Sequence, residues 1–144
     1  MLRIVAFPAF NNRRANPYTA LLYEHMLPFI RDISDYHHLR LMPRQLDIIH
    51  LHWPDLTVSG QNLPRVIARS FYLLMRLGLN KLLGAKIIWT VHNLAPHDRT
   101  NRYLSLIYWK IFFHFLDGAI FLTARAQDQA RSALPALQSK MSAV

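Results

Sequence analysis

The apolar residues of this chain follow two patterns, short continuous runs and longer stretches with regular spacing. Short, apolar, β-branched runs predict buried strands, and longer stretches with apolar residues three or four positions apart predict helices. The runs that predict strands are 3–7, 38–42, 47–52, 85–92 and 118–122, and 141–144 has the pattern of the start of another strand. The stretches that predict helices are 17–31, 63–83, 101–116 and 124–133.

Strands that alternate with helices are typical of parallel βαβ units. We therefore expect an α/β fold, with a Rossmann-like, doubly wound parallel sheet and helices on both faces, in a single domain over 1–144. Asn16 is a candidate N-cap before Pro17 at the start of the first helix, and Gly84 marks the end of the second.

Ligands of an open parallel sheet bind beyond the carboxyl ends of the strands, near the point where the strand order reverses. Three segments with polar residues arrive at this edge of the predicted sheet. They are 8–16, 52–55 and 92–98.

The last of these segments carries the clearest candidate chemistry, because a strand ends on His92 and Asn93 and a loop then delivers His97 and Asp98. Imidazole and carboxamide groups bind hydroxyl-rich ligands, and a carboxylate accepts a proton from an attacking hydroxyl. The pattern is equally typical of a turn capped by Asn93 and a helix capped by Asp98. The sequence leaves both interpretations open.

The second segment places two histidines on one face of a strand, since residues two apart point the same way. We expect His50 to be buried and hydrogen-bonded, and His52 to border the cleft. Trp53 either stacks on a sugar or closes the end of the sheet. Together with His92 these residues suggest a zinc site, but no carboxylate or cysteine has ligand spacing, so we predict no metal.

The first segment occupies the place of a phosphate-binding turn but contains no glycine. A dinucleotide fingerprint needs glycines for the close approach of the backbone to the cofactor, so we expect neither nicotinamide nor flavin. The side chains of Asn11, Asn12, Arg13 and Asn16 either bind an acceptor with hydroxyls or phosphate, or belong to a solvated loop.

Charge adds an expectation about partners. The chain has 17 Lys and Arg against eight Asp and Glu, a net charge of +9, which favours an anionic membrane, a phosphorylated substrate or nucleic acid. No nucleic-acid-binding motif accompanies the charge, so we predict no nucleic acid partner. The basic and aromatic helices over 65–83 and 103–115 either lie on an anionic bilayer or cover the sheet with their Arg and Lys side chains at the solvent edge.

Composition also bears on location. The chain has no cysteine, and its start, MLRIVAFPAF, lacks the long apolar region of a signal peptide. The richest apolar window, 103–123, is interrupted by charged and polar residues, so we expect no membrane-spanning helix. These features favour a cytoplasmic protein, with the inner face of the cytoplasmic membrane as a peripheral site.

Several motifs occur together in a familiar order along nearly the whole chain. They are RIVAFPAF followed by NPYTALLY, then DIIHLHWPD, KIIWTVHNLAPHD and LDGAIFLT. In this combination the chain resembles the N-terminal domain of bacterial GT-B glycosyltransferases of the exopolysaccharide type, including those related to xanthan assembly.

The resemblance implies hexosyl transfer from a nucleotide-sugar, the co-substrate, to a glycan or lipid-linked acceptor, with no cofactor. It implies that this domain holds the acceptor and that a C-terminal domain binds the donor. His92 and Asn93 would line the sugar side of the cleft, Asp98 would be the base of an inverting reaction with His97 as its substitute, and 11–16 would contact the acceptor.

We expect one large departure from this family, in that these 144 residues match its N-terminal domain and leave out the donor-binding domain. We therefore expect an enzyme that is incomplete as this chain alone, with the donor bound by a missing C-terminal domain or a partner subunit. The alternative function is a non-catalytic module, derived from such a domain, that docks to a membrane or a partner.

Overall fold

The computed structural model, which describes residues 2–37, 46–92, 102–133 and 141–143, shows parallel strands layered between helices. The strands are β1 (Arg3–Phe7), β2 (Asp32–Asp35), β3 (Ile48–Leu51), β4 (Lys86–Val91), β5 (Gly118–Phe121) and β6 (Met141–Ala143). The helices are α1 (Tyr18–Met26), α2 (Leu63–Leu82), α3 (Arg102–Phe115) and α4 (Ala124–Ala133). Short 3₁₀ turns cover Leu27–Phe29 and Pro54–Thr57.

The strand order is β2-β1-β3-β4-β5-β6, and all of the pairings are parallel. The chain moves from β1 to one side for β2 and then to the other side for β3, so the order reverses between β1 and β3. The predicted Rossmann-like α/β fold is confirmed. This reversal creates the crevice in which doubly wound sheets bind their ligands.

Alternation along the strands divides the core into two layers. Residues such as Val5, Ile49 and Ile87 pack under α2 and α3 in the larger cluster. Ile4 and Ala6 point to the opposite face, where they pack with side chains of α1. Burial of these apolar side chains is the main source of stability, and it fixes which strand residues reach each side of the carboxyl edge.

The ends of the helices follow local chemistry. Asn62 caps α2, because its side-chain oxygen accepts a hydrogen bond from the backbone N–H of Arg65 at 3.0 Å. The chain leaves α2 through Gly84, whose φ of 96° favours glycine. The N-cap of α1 is Pro17 rather than the predicted Asn16, whose side-chain oxygen accepts from the backbone N–H of Tyr18 at 3.1 Å.

The second strand of the structure, β2, lies where no strand was predicted. The segment 38–42 lies outside the described residues, and β2 is formed earlier, by Asp32–Asp35. Its sequence, DISD, contains one apolar residue, and the strand pairs with β1 alone, so apolar patterning carries little signal there. The first helix is also shorter than predicted, since Pro28 lacks an N–H and the chain tightens into a 3₁₀ turn after Met26.

Arg76 contradicts the expectation that the basic side chains of α2 lie at the solvent edge. It is buried, with its guanidinium carbon 4.8 Å from the ring centre of Tyr36 and 5.5 Å from that of Tyr72. Its Nη1 donates to the carbonyl of His37 at 2.8 Å. Two aromatic faces and a carbonyl replace the water that an exposed arginine would bind.

No helix within 2–37, 46–92 and 102–133 is long and apolar enough to cross a membrane.

Candidate functional site

The candidate site lies at the carboxyl ends of β3 and β4, on the face of the sheet that α1 covers. Strand alternation sends His50 and His52 to this face from β3, and Thr90 and His92 from β4. Helix α1 lies above them and contributes two tyrosines. The histidine cluster comprises Tyr18, Tyr23, His50, His52, Trp53, Thr90 and His92.

A continuous series of hydrogen bonds connects five of these side chains. The Oγ1 atom of Thr90 lies 2.8 Å from His50 Nε2, and His50 Nδ1 lies 2.8 Å from the hydroxyl of Tyr23. That hydroxyl lies 2.7 Å from His52 Nε2, and His52 Nδ1 lies 3.2 Å from His92 Nε2. The first four residues are buried, whereas His92 is half-buried and ends the series at the cleft.

The exposed end of the cluster is built from ring faces. Trp53 stacks on His92, with ring centres 4.7 Å apart and planes inclined by 18°. Tyr18 meets the His92 ring edge-on, at 5.2 Å and 89°. These contacts hold the His92 ring from two sides, so that its orientation is set before any ligand arrives.

Burial keeps this cluster uncharged at neutral pH. It lowers the pKa of His50 to about 4 and that of His52 to about 3, and the neighbouring histidines reinforce both shifts. Burial also lowers the pKa of His92 and raises that of the Tyr23 hydroxyl. The three imidazoles are therefore neutral, each with one donor and one acceptor nitrogen.

The buried histidines of the cluster use their ring nitrogens in hydrogen bonds to other side chains. Both ring nitrogens of His50 and of His52 already have partners. Among the described residues, no group of three or more His, Cys, Asp or Glu side chains is arranged to hold a metal ion.

The loop after β1 is organised by a carboxylate from the neighbouring strand. Asp35, the last residue of β2, accepts hydrogen bonds from the backbone N–H groups of Ala9 at 2.7 Å, Phe10 at 3.0 Å and Asn11 at 3.2 Å. These amides occupy the position at which dinucleotide-binding turns hold a phosphate. Because Asp35 already occupies them, they are not available to an anionic ligand.

The predicted side chains of this loop do not join the histidine cluster. Arg13 is exposed and forms an ion pair with Glu24 of α1, and Asn16 is engaged with backbone at the start of that helix. Asn11 is exposed and Asn12 is half-buried. Within the described part of the chain, no hydrogen bond or ion pair links the side chains of these loop residues to a histidine.

Of the other predicted site residues, His52, Trp53 and His92 are brought together in the cluster. Asn93, His97 and Asp98 lie outside the described residues, and their roles stay predictions.

Sequence reasoning missed the two tyrosines of α1, Thr90 and Asp35. The sequence could have predicted Thr90, because it lies two positions before His92 on a strand and so shares its face. The signal for Tyr23 is weaker, since a buried phenol needs a polar partner. Nothing local marks Asp35, whose partners lie 24 to 26 positions earlier in the chain.

A second concavity of about 650 Å³ lies at the same edge but on the opposite face of the sheet, beside α2. Its walls are mostly apolar. It is lined by Phe7, Tyr36, Thr57, Arg65, Ala68, Arg69, Tyr72 and Leu73.

The fold and the cluster define a Rossmann-like α/β domain with neutral imidazole and indole rings at the carboxyl ends of β3 and β4, next to the reversal of strand order. The chain is 30% identical over 99 residues to a GDP-mannose:glycolipid 4-beta-D-mannosyltransferase of Xanthomonas campestris pv. campestris. The match covers 68% of this chain and 28% of that relative, and the protein of the same name from a further strain of the pathovar gives the same figures. The chain is thus related in sequence to a glycosyltransferase.

The chain spans 28% of the length of the curated relatives it matches. No protein-family model matches it. No solved structure matches it.

Proposed function

We propose that this chain is the acceptor-side domain of a GT-B glycosyltransferase of the exopolysaccharide type. In this proposal a hexosyl group passes from a nucleotide-sugar to a glycan or lipid-linked acceptor, and the histidine cluster binds that acceptor. The observation that carries the proposal is the placement of Trp53 and His92 at the carboxyl ends of β3 and β4, next to the switch point of the sheet. The relationship to an enzyme named for a nucleotide-sugar and a glycolipid supports it.

The chemistry of the open end fits a sugar. The indole of Trp53 offers an apolar face for the C–H surface of a pyranose. The half-buried imidazole of His92 offers a hydrogen-bonding nitrogen to a hydroxyl beside that face. Neutral groups suit an uncharged glycan better than they suit a phosphate.

Besides binding the acceptor, this domain supplies only the residue that takes the proton of the acceptor hydroxyl. An acceptor hydroxyl oxygen bonds to the anomeric carbon, the bond from that carbon to the donor's phosphate oxygen breaks, and the nucleoside diphosphate leaves. Asp98, with His97 as its substitute, takes the hydroxyl proton in this proposal. A separate donor-binding domain or partner subunit binds the nucleotide-sugar.

The proposal is tested by locating glycoside binding in solution. The ¹⁵N-labelled chain has three tryptophan indole signals, those of Trp53, Trp89 and Trp109, and a Trp53→Phe variant assigns the first. Octyl glycosides, added below their micelle concentration, should shift the Trp53 signal and leave that of buried Trp89 in place. Binding should weaken about tenfold in His92→Ala, the loss of roughly one good hydrogen bond.

His25→Ala is the matched control, because His25 lies on the exposed side of α1, where its ring bonds to the carbonyl of Leu21. It should leave the titration unchanged. Glycosides that shift none of the cluster signals, or that bind equally well to His92→Ala, would contradict an acceptor site at the histidine cluster.

A second function, docking to an anionic membrane, is favoured by the outer surface of α2 and α3. The exposed apolar side chains of this docking surface are Leu63, Ile67, Phe71, Met75, Leu79 and Leu83, with Tyr103, Leu106, Ile107 and Ile111 of α3. Arg65 and Lys110 are exposed on the same two helices, and the chain carries a net charge of +9. Apolar side chains beside cations suit a helix at the headgroup level of an anionic bilayer.

This docking would hold the protein at the inner face of the cytoplasmic membrane, where a lipid-linked acceptor is accessible. Vesicles that contain phosphatidylglycerol should carry the chain in flotation, and neutral phosphatidylcholine vesicles should carry much less. Leu79→Glu should reduce flotation, whereas Leu21→Glu, an exposed change on α1, should not. Equal flotation of both variants would contradict this surface as the membrane contact.

A further inference from the structure

The hydrogen-bonded series that ends at His92 has a consequence for the chemistry of that residue. Each of its four contacts needs one hydrogen, and each of the five side chains supplies one, so one hydrogen is left over. If His50 carries its hydrogen on Nδ1, it donates to Tyr23. Since Tyr23 is 0% exposed, its own hydroxyl hydrogen then has an acceptor only in His52 Nε2 within the described residues. Every other contact is fixed by that choice.

Two arrangements of the whole series give the Tyr23 hydrogen an acceptor. A third, in which Tyr23 accepts from both histidines, leaves that buried hydrogen without one, which is strongly unfavourable. In the outward arrangement Thr90 donates to His50, His52 donates from Nδ1 to His92 Nε2, and His92 carries its own hydrogen on Nδ1. In the inward arrangement all the donations are reversed. His92 then donates from Nε2, its Nδ1 is a bare acceptor, and Thr90 accepts from His50.

The buried end chooses between them. Thr90 is 1% exposed, and within the described residues its hydroxyl has no hydrogen-bond partner other than His50 Nε2. The inward arrangement leaves the hydroxyl hydrogen of Thr90 buried without an acceptor, which is strongly unfavourable. The outward arrangement uses that hydrogen in the bond to His50.

We propose that Thr90, His50, Tyr23 and His52 are positioning residues that hold His92 as its Nδ1–H tautomer, and that His92 donates a hydrogen bond to a ligand oxygen in the cleft. Nδ1 is the ring nitrogen of His92 that has no partner among the described residues. His92 is then a binding group for a hydroxyl oxygen rather than a general base. The proton of an attacking hydroxyl must go to another residue.

The tautomer itself does not depend on the proposed function, and only the identity of the ligand does. Nitrogen NMR distinguishes the two arrangements without any ligand, because a ring nitrogen that carries hydrogen resonates well apart from a bare one. In the ¹⁵N-labelled chain at pH 7.5, His92 Nδ1 should resonate in the N–H range and Nε2 in the bare range. The opposite assignment would overturn the proposal, whatever the variants do.

Two substitutions of Thr90 test the coupling across the series. Thr90→Ser keeps the hydroxyl and should keep the Nδ1–H signal of His92, whereas Thr90→Val removes the hydroxyl and should shift His92 Nδ1 toward the bare range. A change of tautomer in His92, to which Thr90 forms no hydrogen bond within the described residues, is not expected of a merely structural role. If Thr90→Val folds and leaves the His92 signals in place, or if Thr90→Ser moves them, Thr90 does not set the tautomer.

A third comparison tests the donor role with octyl glycosides as the probe. His92→Asn, which places an amide N–H near the position of Nδ1, should bind within a few fold of the parent chain, whereas His92→Asp, which offers only acceptors, should lose about tenfold. Equal binding by both variants would overturn the donor role. If no glycoside binds even the parent chain while the Nδ1–H signal is present, the proposed function fails and the tautomer assignment stands.

Discussion

His52 Nδ1 lies 3.2 Å from His92 Nε2, and this contact connects a buried imidazole with one at the cleft. Because burial keeps both rings neutral, one nitrogen must carry the hydrogen and the other must accept it. The state of His92 therefore depends on residues that no ligand touches. Substitutions in the buried part of the cluster should change the free energy of unfolding and also the ring nitrogen signals of His92.

Tyr23→Phe tests the structural importance of the series. The change removes a hydroxyl that serves both His50 Nδ1 and His52 Nε2, and leaves two buried nitrogens without partners. We expect the free energy of unfolding to fall by about 1–3 kcal/mol, as measured by urea denaturation. Tyr103→Phe, at a side chain that is 78% exposed, should change it by less than about 0.5 kcal/mol. Similar values for the two variants would contradict a buried network.

The lowered pKa values of His50 and His52 predict a specific pH dependence. An unfolded histidine binds a proton below about pH 6.5, but these two resist protonation in the folded protein until about pH 4 and about pH 3. Stability is therefore complete above pH 6.5 and falls as the pH falls through that window. Each histidine contributes a slope of up to about 1.4 kcal/mol per pH unit.

Urea denaturation between pH 7.5 and pH 5 measures this slope above the range in which most carboxylates titrate. His52→Gln should reduce the slope even though it lowers stability overall, and His25→Gln, at an exposed histidine, should leave it unchanged. A flat profile in the parent chain would show that the buried imidazoles do not resist protonation.

Asp35→Asn tests the carboxylate that organises the loop after β1. The variant loses charge-assisted hydrogen bonds to the amides of Ala9, Phe10 and Asn11. We expect a loss of about 1.5–3 kcal/mol in unfolding free energy and faster hydrogen exchange at those three amides. Asp32→Asn, at the exposed start of β2, is the control and should change neither quantity. If hydrogen exchange at these amides is unchanged in Asp35→Asn, contacts other than the Asp35 carboxylate hold the loop in place.

Much of this fold was predictable because its central strands are apolar on both faces. The apolar runs that form β1, β3, β4 and β5 were predicted as strands for this reason, and His52 and His92, which directly follow β3 and β4, were predicted as site residues. β2 escaped prediction because DISD is a short edge strand with one buried apolar residue, and its role lies in Asp35, which acts on a distant loop.

The cluster was predicted only in part, for a related reason. Sequence spacing placed His50 and His52 on one face, but it cannot show which side chains of α1 lie above them. Tyr23 connects two histidines across 27 and 29 positions of sequence, a relationship that exists only after the helix packs on the sheet.

The central claim is that this chain binds the acceptor of a glycosyl transfer and leaves the donor to another domain or subunit. Calorimetric titration of the same chain with an octyl glycoside series and with GDP-mannose tests that division most directly. The account predicts measurable glycoside binding that His92→Ala weakens, and no heat of binding from GDP-mannose. Binding of GDP-mannose that is lost in His92→Ala, with no binding of any glycoside, would place the donor at the histidine cluster and contradict the account.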